Sequence, residues 1–374
     1  METATAYVTQ ADSQDHTLIV VFLRGGADGL NMVVPVEDDA YYRARPTLGI
    51  SKNKAIPLDD VFGLNPQLGS LHRLYKEGSL AIVHQAGCED DSRSHFKAQD
   101  TMEQGGTAAS GWLGRYLRYA PKLKTGPLSA IALGKTRPTC LWGAPSSITM
   151  ESLDTFDIGN PPPTFLPELA KLYSMEKNDL GIAGADAIIA MEKISGLREQ
   201  DYRPAHGATY PSGNFGDRFR QVAQLVKARV GLEAVSIDLD GWDSHFAASA
   251  LMNPLMKQLG DGLAAFQKDL GSDMDNVTVA VMTEFGRRVY QNVSFGTDHG
   301  RGSVMFMLGN DIQGGRVLHK WNGLETENLE GPGDLAVVYN YRDVLAPVLQ
   351  RHGGIESMDV VFPEFQTTPL SLYG

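Results

Sequence analysis

Residues 17–31 read TLIVVFLRGGADGLN. The first seven form a continuous run of apolar and β-branched residues, the pattern of a strand covered on both faces. The run breaks at once into Arg24-Gly25-Gly26-Ala27-Asp28-Gly29-Leu30-Asn31. Its glycines permit a sharp turn and close backbone approach, and Arg24, Asp28 and Asn31 put polar side chains directly beyond the strand. Such a strand and loop form the unit of an open α/β sheet, where ligands bind beyond the carboxyl ends of the strands.

The unit recurs along the chain. Further buried strands are predicted at 80–83, 130–133, 233–239, 277–282 and 304–308. Helical patterns lie at 94–103, 112–119, 165–175, 183–194, 215–229, 246–270 and 341–351. The alternation predicts an α/β fold, a mostly parallel central sheet with helices on both faces. The 374 residues suffice for a large core and read as a single domain, 1–374. Residues 138–211 carry Pro161-Pro162-Pro163 and helices without buried strands, and read as an insertion or cap on that domain.

Composition narrows the function. With 45 acidic and 33 basic residues the net charge is −12, and an acidic surface repels phosphate backbones, which argues against nucleic acid as a partner. Two cysteines, Cys88 and Cys140, make neither a disulfide scaffold nor a cysteine-rich zinc module. No stretch reaches the roughly 20 apolar residues of a membrane span. The opening METATAYVTQADSQDH is polar and lacks the features of a secretory signal, so the expected location is cytoplasmic. Oligomeric state stays open.

Ligand-type residues gather where the strands end. His84 follows the second strand, and Ser92, Arg93, Ser94 and His95 come soon after. The fourth strand leads to Asp240-Gly241-Trp242-Asp243-Ser244-His245, the fifth to Glu284 and Arg287, and then Asp298-His299 sits among glycines. Carboxylate with imidazole suits zinc or manganese better than calcium or magnesium. Each motif also has a plainer reading: Asp28 as a turn residue, Asp243 and Ser94 as helix caps, Asp298 as a structural residue of a hairpin, and the arginines as partners for surplus acids. The convergence carries the argument.

The blocks LRGGADGLNMVVP, RSHFKAQD, GWLGRYL, GWDSH, TEFGRRVYQN and GTDHGRG, spread over 18–321, resemble in order the signature of a bacterial domain family of unknown function. Its members are often exported with a twin-arginine signal, and the family is placed in the alkaline phosphatase and sulfatase superfamily. The resemblance implies a three-layer α/β sandwich with one or two divalent cations at the strand ends. It also implies a Ser, Thr or modified Cys nucleophile at a helix N-terminus. Carried over residue by residue, Asp28, Asp243, His245, Asp298 and His299 look like the metal ligands and Ser94 like the nucleophile. The formylglycine signature, Cys or Ser followed by x-Pro-x-Arg, is absent at both cysteines, so that sulfatase chemistry is not expected.

The reading that follows is a metal-dependent hydrolase or transferase of small phosphate, phosphonate or sulfate esters. Zinc or manganese is favoured over calcium or magnesium. Ser94, or a water activated by the cation, attacks. His84 and His95 move protons, and Arg24, Asn31, Arg287 and Glu284 contact the substrate. The alternatives are a non-catalytic binding or accessory protein of the same fold, recognising an anionic ligand, and an isomerase or mutase.

Overall fold

The computed structural model describes residues 16–159 and 161–374. The opening stretch on which the expectation of a cytoplasmic location rests, 1–16, lies outside them except for His16. The strands of the main sheet and of an adjoining ribbon are numbered in chain order. They are β1 Thr17–Arg24, β2 Leu80–Gly87, β3 Ala130–Leu133, β4 Ile148–Met150, β5 Ala234–Asp240, β6 Val277–Thr283, β7 Arg287–Gln291, β8 Thr297–His299, β9 Ser303–Leu308, β10 Arg316–Leu318 and β11 Tyr339–Asn340. Helices of seven residues or more are α1 Ser70–Lys76, α2 His95–Gln104, α3 Trp112–Tyr119, α4 Phe165–Met175, α5 Asp179–Arg198, α6 Asn214–Lys227, α7 Ala248–Leu270 and α8 Tyr341–Gly353.

The main sheet runs β10-β2-β9-β6-β1-β5-β3-β4, with β11 beside β2. Every pairing is parallel except those of β9 with β2 and β6. β1 lies at the centre and shows why the architecture is layered. Its Ile19, Val21 and Leu23 enter one core with α1, α6 and α7, while Leu18, Val20 and Phe22 enter a second with α3 and α8. Successive side chains of a strand point to opposite faces, so a run without polar interruptions demands a cover on both sides. Each such buried side chain contributes about 1.5–3 kcal/mol relative to exposure. The outcome is the three-layer α/β sandwich expected from the pattern.

All six predicted strands form. β9 differs in direction, for a physical reason. A parallel return needs a crossover, usually a helix. Between β6 and β9 the chain makes only the β7–β8 ribbon, so it re-enters the sheet from the end it left and runs antiparallel. The segment 138–211 also supplies a strand that its pattern did not show, the three-residue β4 on the edge beside β3. Further on, Asp269 of α7 accepts hydrogen bonds from the Tyr202 and Tyr210 hydroxyls, both 2.7 Å, and from Ala205 N at 2.6 Å. Together with Lys227 these satisfy a buried carboxylate and fasten the 202–210 chain to the helices. Among the described residues no helix is long and apolar enough to cross a membrane.

Candidate metal centre

The loops beyond β1, β5 and β6 meet because Gly25 permits it. Its φ is +120°, and a Cβ there would lie 2.4 Å from Asp243 N. Trp242 N donates to Arg24 O at 3.1 Å, which carries the β1–β5 pairing one step past the sheet. Arg287 then fastens the group. Its guanidinium donates to the carbonyls of Gly25, Gly26, Trp242 and Thr297, and to Asp243 Oδ1 at 2.8 Å. It is fully buried and its donors are committed, so it is placed to hold three stretches of chain together, 25–26, 242–243 and 297, and not to grip substrate as expected.

Three imidazoles surround Asp243. His245 Nε2 and His299 Nε2 lie 3.1 and 3.2 Å from its Oδ1, His95 Nε2 lies 3.5 Å from its Oδ2, and the two nitrogens of His245 and His299 are 2.9 Å apart. His95, Asp243 and His299 each offer a ligand atom within 4.8 Å of the other two. Each imidazole is also held from behind. His95 Nδ1 faces Glu284 Oε1 at 2.8 Å, His299 Nδ1 faces Arg93 O at 2.8 Å, and His245 Nδ1 faces Asp298 Oδ1 at 3.4 Å. Carbonyls and carboxylates only accept, so in the neutral ring the proton sits on Nδ1 and the lone pair on Nε2. That is the tautomer a metal ligand needs, with the outer partner that usually fixes it.

The electrostatics support the ionised Asp243 and the neutral His299. Burial opposes the charge on Asp243, yet the hydrogen bond from Arg287 and its positive charge hold its carboxyl at about 2. Burial lowers the pKa of His299 and keeps it neutral. At His95 the shift runs the other way: the hydrogen bond it donates to Glu284 raises its pKa. His95 Nε2 is buried without a hydrogen-bond partner, and two lone-pair nitrogens at 2.9 Å repel unless something positive lies between them. A tetrahedral zinc with bonds near 2.0–2.1 Å separates its ligands by about 3.3 Å, and the four contacts above bracket that value. The donor set therefore fits a divalent cation of the zinc type. Glu284 is fully buried and accepts from Gly25 N, Gln99 Nε2 and His95, so it is placed behind His95 and not at an open surface where the sequence put it against substrate. Glu284→Gln is expected to weaken zinc binding about 10–100-fold; a competition titration showing equal affinity would remove Glu284 from that role.

The other sequence candidates divide. Asp298 stands behind His245, also taking a bond from Asn292 Nδ2 at 3.2 Å. Ser94 caps α2 beside His95 with its side chain out of the cap. Arg24 is occupied by Glu103, by Asp238 at 3.0 Å and by Gln99 at 3.4 Å. Asn31 is buried, its carbonyl held by Asn65. His84 is not brought to the centre: it is fully buried, stacks on Phe62 at 4.6 Å and meets Val33 O, and burial lowers its pKa to about 3. His95, read first as a proton carrier, stands among the ligand atoms; its signal was the position at the start of a helix beyond a strand end.

Asp28 is also placed elsewhere. It is buried, and its Oδ2 pairs at 2.7 Å with Arg45, whose remaining bonds go to the Val289 and Arg288 carbonyls. Asp28→Ala strands a buried guanidinium and is expected to cost about 3–5 kcal/mol in denaturant unfolding, with zinc content unchanged in the folded fraction. Unaltered stability with lost zinc would return Asp28 to the ligands.

Residues 183–361 match the family described as "Protein of unknown function (DUF1501)", in line with the resemblance of the motif blocks. Among curated proteins none matches the chain in sequence. Solved structures similar to it include the C-terminal periplasmic domain of EcEptC from Escherichia coli in complex with Zn (10% identity, 96% of this chain and 90% of that chain, TM-score 0.40). Another is a protein in the alkaline phosphatase superfamily from Vibrio parahaemolyticus (10%, 91% and 67%, TM-score 0.36). A third is the lipoteichoic acid synthase LtaP from Listeria monocytogenes (10%, 93% and 76%, TM-score 0.36).

Proposed function

We propose that this chain, with its DUF1501 match over 183–361, is a metal-dependent hydrolase or transferase of phosphate, phosphonate or sulfate esters. The observation that carries the proposal is the set of three imidazoles, each tied at Nδ1 and turned with Nε2 toward Asp243. His95, Asp243 and His299 would hold the cation, with His245 as a fourth donor. Zinc or manganese suits these donors. A divalent ion there polarises ester oxygens and offsets the charge that develops in the transition state. Arg287 keeps Asp243 ionised and in place. Glu284, Asp298 and the Arg93 carbonyl keep the Nδ1 protons away from the centre. Ser94 supplies the attacking oxygen at the N-terminus of α2, where unpaired backbone N–H groups favour an anion. The ester class comes from the resemblance of the motif blocks; the choice among phosphate, phosphonate and sulfate is left to assay.

The test is turnover of phosphate monoesters, phosphodiesters and sulfate esters by protein stripped with a chelator and then reloaded with zinc or manganese. Turnover that disappears on stripping and returns on reloading is expected. Metal bound at the centre with no turnover across the panel would overturn the enzyme reading and leave the non-catalytic binding protein.

A further inference from the structure

An ester anion at this centre needs a cationic side chain that is close and not already satisfied. Most nearby arginines fail the second condition. Arg287 is spent on four carbonyls and Asp243, and Arg24 on Glu103, Asp238 and Gln99. Arg45 is buried with Asp28. Arg93 grips Asp334 through Nε, at 3.0 Å, and Nη2. Arg301 binds Glu330 and the Cys88 carbonyl.

Arg288 differs. Among the described residues its side chain makes no hydrogen bond; its Nη1 stops 4.0 Å from Asp298 Oδ2 and its Nε 3.9 Å from Asp334 Oδ1. The side chain is 33% exposed. Its backbone, by contrast, is pinned: the carbonyl accepts from Arg45 Nη2 at 2.9 Å, and Val289 N donates to Gly333 O at 3.0 Å. Both carboxylates take their hydrogen bonds through the oxygen turned away from Arg288, Asp334 Oδ2 from Arg93 and Asp298 Oδ1 from Asn292 and His245. One carboxylate, Asp298, separates its guanidinium from the imidazole of His245. A fixed backbone with a planar head that pairs with two carboxylates only at 3.9–4.0 Å and makes no hydrogen bond is suited to bidentate recognition of a tetrahedral oxyanion.

We propose that Arg288 is the specificity-determining guanidinium of the site, gripping non-bridging oxygens of the phosphoryl or sulfuryl group in place of Arg24 and Arg287. The proposal rests on the ester reading above. Its test is calorimetric titration of inorganic phosphate, and separately inorganic sulfate, into zinc-loaded wild type and Arg288→Ala, with zinc content measured on each. Loss of the side chain is expected to weaken binding of the preferred anion about ten- to a hundredfold at unchanged zinc content. If the alanine variant does not fold, Arg288→Gln, which keeps length and drops charge, decides by the same criterion. Wild-type affinity in a folded variant, or binding indifferent to removal of zinc, overturns the role of Arg288 and leaves the centre as described. Zinc-loaded wild type that binds neither anion overturns both the role and the reading beneath it.

Discussion

Alanine at Ser94 is expected to lower ester turnover on the order of 10³-fold or more while zinc content stays at the wild-type level. Ser94 sits between Arg93, whose carbonyl holds His299, and His95, whose Nε2 faces Asp243. A serine at a helix N-cap normally spends its hydroxyl on a backbone N–H of the first turn, a bond worth about 1 kcal/mol. Here the side chain makes no capping bond, so its removal takes little from the helix and the variant should melt like wild type. The backbone supports the same view. Arg93 has φ +54°, a left-handed conformation that costs on the order of 1–3 kcal/mol and persists only where the surroundings impose it. Those surroundings are the ion pair with Asp334 and the bond to His299, and the effect is to present Ser94 and His95 together. Full activity in Ser94→Ala would sink its role as nucleophile. Ser92 would inherit little, since its hydroxyl already bonds Asp90 Oδ1 at 2.6 Å and accepts from Ser94 N.

His299→Ala is expected to lower zinc affinity by more than about a hundredfold, beyond the loss from removing an outer partner, and to abolish turnover at zinc levels that saturate wild type. His299 is central among the imidazoles: its ring lies 4.4 Å from that of His95, 4.5 Å from that of His245 and 4.9 Å from that of Phe285. It is also 54 residues or more from the other donors in sequence, so its removal tests whether the convergence matters. Equilibrium dialysis with metal analysis gives the affinity. His84→Ala is the contrasting control, expected to perturb the core around Phe62 and to leave zinc in place. Unchanged zinc binding in His299→Ala would refute the centre.

The fold was largely legible in the chain. The run at 17–23 has no polar interruption, so its strand had to be covered twice, and the alternation of such runs with helical periods left few architectures open. What escaped were short elements, among them β4, β11 and helix α1, and the direction of β9, which depends on the ribbon between β6 and β9. The candidate site was legible as a set of residue types and not as a set of roles. Asp243, His245 and His299 are together as their motifs suggested. Arg287 and Glu284 carry the same functional groups as a substrate grip, and only the tertiary structure places them buried, Arg287 among carbonyls and Glu284 beside His95. Asp28 and His84 likewise have ligand chemistry but meet Arg45 and Phe62 first.

The sequence by itself determined the strands, their polar loops and the stock of imidazoles and carboxylates at one end of the sheet, because periodicity and turn chemistry act over a few neighbouring residues. Tertiary structure decided which members of that stock face one another. His95 meets Glu284 across 189 positions and His299 meets Arg93 across 206. Such pairings follow from sheet order and from the close approach that Gly25 allows, and no local pattern encodes them. Whether an imidazole presents a lone pair or fills a core is set by what stands behind its other nitrogen.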